Sequence, residues 1–304
     1  MKVVCVMGPT AVGKSDLAVS AALRFRGEII NADSMQVFIG LDVGTGMPDA
    51  EMFKAVPHHL FAYLEPDHEP DAGWWARDAA DTIRDIVGRR NVPFVVGGTF
   101  FWIRALFSGL ARIPRVTDQV RERVVSMHAA KGTRAMHDML SRIDPETAGR
   151  LSPGDTQRIL RAIEVHEATG VPLSRFHGAG SVPAVNADVL KIALSLPRDE
   201  VYRRINARVD QMVAAGLVEE VRNLLDKGYR DSIRPLRSGS YVPVIQYLSG
   251  EIDLARMKAD VALSHRRYAK RQMTWLRKEV DVVTVDQRDK DKFLDTISAF
   301  LDVG

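Results

Sequence analysis

Eight residues near the start of the chain, Gly8-Pro9-Thr10-Ala11-Val12-Gly13-Lys14-Ser15, have the types and spacing to hold a phosphate. They fit the pattern G-x-x-x-x-G-K-[ST], in which a glycine-rich turn presents backbone N–H groups to an anion. The Lys14 ammonium then reaches the outer phosphate, and the Ser15 hydroxyl is suited to hold Mg²⁺. ATP-binding and other nucleotide-binding proteins share this pattern, so it specifies a phosphorylated ligand without choosing ATP. The flanks agree. Val3–Met7 is a continuous apolar run that predicts a buried parallel strand, and Leu17, Ala18, Ala21, Ala22 and Phe25 fall at helical spacing. A helix starting at the loop adds positive potential at the anion.

Two further groups stand at predicted strand ends. Glu28–Ala32 reads as a second strand ending at Asp33, and Val92–Val96 as a third, closed by Gly97-Gly98-Thr99. In an open parallel sheet, ligands bind beyond the carboxyl ends of the strands, so Asp33, Thr99 and loop 8–15 are expected to converge. Phosphate-loop ATPases usually carry a Mg²⁺-holding acid after a hydrophobic strand. Here the third strand has none, and the nearest acid follows the second. Simpler roles remain open for both residues. Asp33, with Gln36 three positions on, resembles a helix-capping box, and the Thr99 hydroxyl can satisfy its own turn. His58 and His59 are adjacent, a poor spacing for two metal ligands on one helix face, and read as packing or hydrogen-bonding residues.

The elements that must position these groups predict an α/β fold: a P-loop core with a parallel sheet flanked by helices, plus an inserted all-helical lobe. A helix is expected over 74–89. From about 115 to 170 the pattern is helical and charged, with breaks near Gly132, Pro145 and Pro153. A Gly/Ser/Pro-containing connector at 178–187 leads to a returning strand at 189–196. Helices at 199–214 and 217–227 follow, then an edge strand at 280–285 and a closing helix at 290–302. The expected domains are a catalytic core, 1–113 with 188–304, and a helical insertion, 114–187.

At 304 residues, 46% hydrophobic and 27% charged, the composition is that of a globular protein. The net charge is only +3, but residues 265–278 hold six Lys/Arg and no acid. Cys5 is the single cysteine, which excludes an internal disulfide and a multi-cysteine zinc site. No apolar run is long enough to cross a bilayer, and the chain opens directly on a strand, so a soluble, cytoplasmic monomer is expected.

Taken together, the motifs resemble those of the tRNA dimethylallyltransferases (tRNA isopentenyltransferases). The resemblance is carried, in order along the chain, by Gly8–Ser15, Asp33-Ser34-Met35-Gln36, Pro57-His58-His59-Leu60, Val96-Gly97-Gly98-Thr99, Asp155–Val165, Arg208–Met212, Gly216–Val221 and Arg267–Gln272. It implies Mg²⁺-dependent transfer of a dimethylallyl group from dimethylallyl diphosphate to N6 of an adenosine 3′ of the anticodon in tRNA. In this family the loop Gly8–Ser15 would hold the diphosphate, Lys14 would neutralise it and Ser15 would contact the metal. Asp33 would accept the N6 proton, Thr99 would donate to the bridging oxygen, and Arg161 would be a further diphosphate or tRNA contact. The implied tRNA-contacting residues are Asp33, Ser34, Met35, Gln36, Thr99, Arg121, Gln157, Arg158, Ile159, Leu160, Arg161, Arg267, Lys270 and Arg271. Segments Arg237–Tyr241 and Arg271–Lys278 also fall in RNA-contacting regions of the family. If helical, the basic run would set Arg267, Lys270, Arg271 and Lys278 in one stripe, with Tyr268, Gln272 and Leu276 facing elsewhere.

Some positions depart from the family pattern. Phe100-Phe101-Trp102 replaces Gly-Leu-Tyr, which predicts a bulky side chain beside the diphosphate. Val37–Asp42 and Gly46-Met47-Pro48 lack two basic residues of the second motif, Ser238-Gly239-Ser240-Tyr241 differs from Ile-Gly-Tyr, and Gly154 stands where Asn is common. Lys14, Ser15, Asp33, Thr99 and Arg161 are all retained. Competing readings are an adenylate isopentenyltransferase acting on free AMP, ADP or ATP, a P-loop nucleotide kinase, and a non-catalytic RNA-binding module. The long helical insertion and the basic C-terminal helix argue against the first, because a mononucleotide needs neither.

Overall fold

The computed structural model describes residues 1–178 and 180–302. Ala179, within the expected connector, and residues 303–304 lie outside the described residues. The chain forms two compact units: Met1–Phe107 with Ala184–Gly304, and Ser108–Pro183.

The first unit opens with β1 (Lys2–Met7), α1 (Lys14–Phe25), β2 (Gly27–Asn31), α2 (Ala50–Ala55), β3 (His58–His59), α3 (Ala72–Gly88), β4 (Val92–Gly97) and α4 (Phe100–Phe107). Helices pack on the sheet, so β1 and β2 are buried almost throughout and read as unbroken apolar runs. Asp71 caps α3 by accepting the Trp74 N–H at 2.8 Å, so the helix starts ahead of the apolar pattern that predicts it. Trp75, Ala76, Ala79, Ala80, Ile83 and Ile86 form its buried stripe, and Trp75 stacks on Trp102 of α4 at 5.0 Å.

The second unit carries β5 (Leu110–Ala111), α5 (Asp118–Ile143), α6 (Pro145–Arg150), α7 (Thr156–Thr169), α8 (Leu173–Gly178) and β6 (Ser181–Val182). Its ends are tied together by the antiparallel β5–β6 pair, which lies outside the purely helical pattern. Gly132, at φ 75°, kinks α5, as its place in the sequence anticipates. Val124, Met136, Leu140, Ile159, Ile163 and Val165 fill a core of its own. Beside that core, buried Asp144 accepts the Thr147 hydroxyl at 2.7 Å and the Ser174 N–H at 2.9 Å.

The chain then returns to the first unit as β7 (Asp188–Ser195), α9 (Arg198–Ala214), α10 (Leu217–Asp226), α11 (Val242–Leu248), α12 (Leu254–Leu276), β8 (Val282–Asp286) and α13 (Lys290–Asp302). The strands make one sheet in the order β3-β2-β4-β1-β7-β8, parallel throughout. From β1 the chain runs to one side through β2 and β4, then to the other through β7 and β8. The crevice therefore opens beyond the carboxyl end of β1. Cys5 is buried in β1, and burial pushes its thiol up to about 12, the behaviour of an inert packing residue. None of the described helices is long and apolar enough to cross a membrane.

One acid sits inside β2. Glu28 accepts from Arg89 Nη2 at 2.7 Å and Asn91 Nδ2 at 2.7 Å, and lies 2.6 Å from His59 Nε2 on β3. Hydrogen bonding to Arg89, despite burial, holds its carboxyl down at about 2. The contribution of this ionised group is present above the ordinary value of 4.5 and is lost as pH falls through about 2. Glu28→Gln should therefore lower unfolding free energy by about 2 kcal/mol at pH 7, with the gap from the parent narrowing below pH 4. Urea titrations at pH 7 and pH 3 check this, and an equal gap at both would refute the assignment.

Candidate active site

The phosphate loop follows β1, and its amides are aimed by backbone rather than by side-chain caps. Gly13 at φ 90° starts α1 without a side-chain cap, leaving the first-turn N–H groups for a ligand. A side chain at Gly13 would also meet Gln287 Nε2 at 2.8 Å, but that amide can move aside, so it is the left-handed conformation that calls for glycine. Lys14 Nζ donates to the carbonyls of Gly8 at 3.1 Å and Pro9 at 3.0 Å. Burial lowers its ammonium from 10.5 to about 8, with Arg208 adding to the fall and Asp33 opposing it.

Asp33 is positioned by buried Asn31 at the end of β2. Asn31 Oδ1 accepts the Asp33 N–H at 2.8 Å, and its Nδ2 donates to the carbonyls of Asp33 and Leu60, both at 3.0 Å. No helix begins at Asp33, so the capping-box reading fails. Residues 33–36 instead form a turn in which Asp33 Oδ1 accepts the Met35 N–H at 3.0 Å. The Thr99 hydroxyl serves a neighbouring segment rather than its own turn, accepting the Ser34 N–H at 3.0 Å. The Thr99 N–H donates to Ala32 O at 3.1 Å, so the ends of β2 and β4 are locked side by side.

These ends open on a cavity of about 570 Å³. Thr10, Ala11, Gly13, Lys14, Ser15, Asp16, Asp33 and Gln36 line it, together with Met47, Met52, His58, Phe61 and Val96. The sequence-predicted loop and Asp33 thus share one space, with Thr99 tied behind Ser34. His59 pairs with Glu28, and His58 Nδ1 lies 2.8 Å from Val56 O, in keeping with their non-metal reading. No cluster of three or more His, Cys, Asp or Glu suited to a metal occurs among the described residues. Ser15, Asp16 and Asp33 do put hard oxygen donors on the cavity wall, the donor type Mg²⁺ takes alongside phosphate oxygens.

Several site residues were not singled out individually by the sequence. Arg208 of α9 lines the cavity and donates to Gly46 O at 3.0 Å, and burial lowers its pKa despite Asp33 and Asp16. Arg204 lines the cavity as well. Both adjoin the buried stripe Val201–Ile205–Val209–Met212, where a cation signals a special role. Glu220 accepts the N–H groups of Asp42, Val43 and Gly44 at 2.7, 2.6 and 2.9 Å, holding the loop that brings Gly46 to Arg208.

Other expectations change. Phe100 is buried in α4 and is not a wall residue, so the bulk expected beside the diphosphate is absent from the cavity. Tyr241 is buried with its hydroxyl on Glu220 at 3.0 Å, which removes it as an RNA contact. Lys278 follows the end of α12 and drops out of the helical stripe, which keeps Arg267, Lys270 and Arg271 exposed. Ile159 is fully buried in the core of the helical unit, so its side chain packs there and is withdrawn as a tRNA contact. On the same α7, Gln157 and Arg158 are exposed, Leu160 packs against that core, and Arg161 pairs with Glu164 at 3.3 Å. Arg121 is exposed on α5 and pairs with Asp118 at 3.2 Å.

A family profile described as IPP transferase matches residues 36–279, and one described as isopentenyl transferase matches residues 1–64. A protein of Geobacter sulfurreducens named tRNA dimethylallyltransferase is 42% identical over 285 residues, 94% of this chain and 92% of the relative. The chain belongs to the tRNA dimethylallyltransferase family. A Halorhodospira halophila protein of the same name is 43% identical over 290 residues, covering 94% of each chain. Among solved structures, the full-length tRNA isopentenylpyrophosphate transferase of Bacillus halodurans is 34% identical with a TM-score of 0.72, over 99% of this chain and 97% of that one.

The Lys14 environment sets a pH dependence for anion binding. Only the ammonium form attracts a diphosphate, so affinity should be level below about pH 8 and fall above it. Inorganic diphosphate titrated calorimetrically from pH 6.5 to 9.5 should show this inflexion on top of the ligand's own ionisation. Lys14→Met should bind weakly throughout and keep only the ligand's contribution; matching profiles for the two proteins would refute the role.

Proposed function

We propose that this protein transfers the dimethylallyl group of dimethylallyl diphosphate to N6 of the adenosine 3′ of a tRNA anticodon. The observation that carries this reading is the shared cavity of Lys14 and Asp33, one residue suited to a departing anion and the other to an incoming proton. As the allylic C–O bond breaks, its electron pair leaves with the diphosphate. Lys14, Arg208 and the loop amides lie where that negative charge grows. The N6 lone pair closes the new C–N bond, and Asp33 accepts the N6 proton. The Thr99 hydroxyl, which bonds Ser34 and is not among the cavity-lining residues, would turn its proton toward the bridging oxygen once the substrates are bound. Mg²⁺, held through Ser15 and the substrate oxygens, would add charge neutralisation to the leaving group.

Met47, Met52, Phe61 and Val96 are apolar members of the lining that suit the five-carbon chain. An adenine stacked in an anticodon loop must be everted to reach the cavity. Arg267, Lys270 and Arg271 are exposed cations in the second half of α12 that would grip the flanking phosphates. On the helical unit, Gln157, Arg158, Arg161 and Arg121 are the remaining polar candidates for RNA contact.

Labelled dimethylallyl diphosphate offered with tRNA, AMP or ATP distinguishes the readings. Label should enter tRNA; label in AMP, or phosphate transfer from ATP without prenylation, would overturn the proposal. Asp33→Ala and Thr99→Ala should each slow single-turnover transfer by about 10²-fold or more while tRNA affinity changes little. Loss of RNA binding at an unchanged chemical rate would reassign them. Arg267→Ala combined with Lys270→Ala should weaken tRNA binding and reduce its salt slope by about 2. An unchanged salt titration would remove α12 from the interface.

A further inference from the structure

The inward face of α12 carries an amide at a position where helical spacing calls for an apolar side chain. Gln272 is 3% exposed and shares this face with Met257, Val261, His265 and Ala269. Its Oε1 accepts the Thr10 N–H at 2.8 Å, and its Nε2 donates to Gly98 O at 3.0 Å. One planar group therefore joins the loop after β1 to the turn after β4.

The bond to Thr10 has a specific mechanical meaning. The Thr10 N–H and the Pro9 carbonyl belong to the same rigid peptide plane, so fixing one fixes the other. That Pro9 carbonyl accepts Lys14 Nζ at 3.0 Å. On its other side, Gln272 fills the space that a side chain at residue 98 would occupy. A Cβ on Gly98 would lie 2.1 Å from Nε2. The missing side chain at 98 and the amide at 272 are thus matched halves of one contact.

We propose that Gln272 is a positioning residue that orients the Pro9–Thr10 peptide, and through it Lys14, while clasping the phosphate loop to the turn bearing Thr99. The proposal rests on loop 8–15 being the diphosphate cradle. Gln272 touches no reacting atom; it sets how well the cradle is formed before the donor arrives.

The test is a double-mutant cycle on the full-length protein, read with inorganic diphosphate and Mg²⁺ by calorimetry. Gln272→Met keeps similar bulk without the amide and should weaken diphosphate binding about tenfold. Gly98→Ala should cause a similar loss, because its methyl displaces the same amide. The double variant should bind no worse than the weaker single one, since the clasp can be lost only once. In prenyl transfer, Gln272→Met should raise KM for dimethylallyl diphosphate by a similar factor and leave tRNA affinity within about twofold. Diphosphate binding within twofold of the parent in Gln272→Met would overturn the proposal. So would additive losses in the double variant, or equal losses of tRNA and diphosphate affinity. A parent protein that leaves tRNA unlabelled while the diphosphate pattern holds would uphold the clasp and overturn only the prenyl-transfer reading.

Discussion

A cation removed from water is costly unless something negative will answer it, and the site is arranged around that tension at Lys14. With its ammonium resting on two carbonyls of its own loop, Lys14 is held at a pKa near 8, ready to be stabilised by an anion. A second half-buried cation, Arg208, lines the same cavity, and Asp33 favours the charged form of both. In the proposed reaction a departing diphosphate, whose charge increases as the bond breaks, offsets the desolvation of both cations and so favours bond breaking over the resting state.

Holding these charges at working distance is a task for backbone geometry. The ends of β1, β2 and β4 are adjacent because the sheet order places β4 between the other two. Asn31 then fixes its own turn through the Asp33 N–H, and Thr99 ties that turn to the end of β4 by accepting the Ser34 N–H from a segment far away in sequence. The groups proposed for catalysis sit on turns, yet those turns are fixed by the buried polar residues Asn31 and Gln272. In this way a parallel sheet holds loop-borne chemistry rigidly.

The parallel core was legible because its signals are local: continuous apolar strands, a helix stripe on α3 and a glycine-rich turn between β1 and α1. The phosphate loop and Asp33 could be placed from strand ends alone. Arg208, Glu220 and Gln272 were harder to assign because their meaning lies in partners remote along the chain, at Gly46, residues 42–44 and Gly98. The sequence sets Gln272 off the basic stripe of its helix, a register that marks the inward face but names none of its partners. Ile159 and Tyr241 erred in the opposite direction. Motif membership suggested contact with a ligand, while helical periodicity and a buried hydroxyl partner assign them to packing.

The antiparallel β5–β6 pair has a further meaning for how the molecule is put together. It closes the excursion of residues 108–183 at its own neck, while the Ala184 N–H returns to Leu106 O at 3.0 Å within the host. The host chain therefore experiences the entire insertion as though it were a hairpin turn. Since closure entropy grows only slowly with length, such a neck makes the size of the excursion nearly free for the sheet that bears it. Helices beyond the neck can lengthen, shorten or be reshaped while the strand ends of the sheet stay as they are.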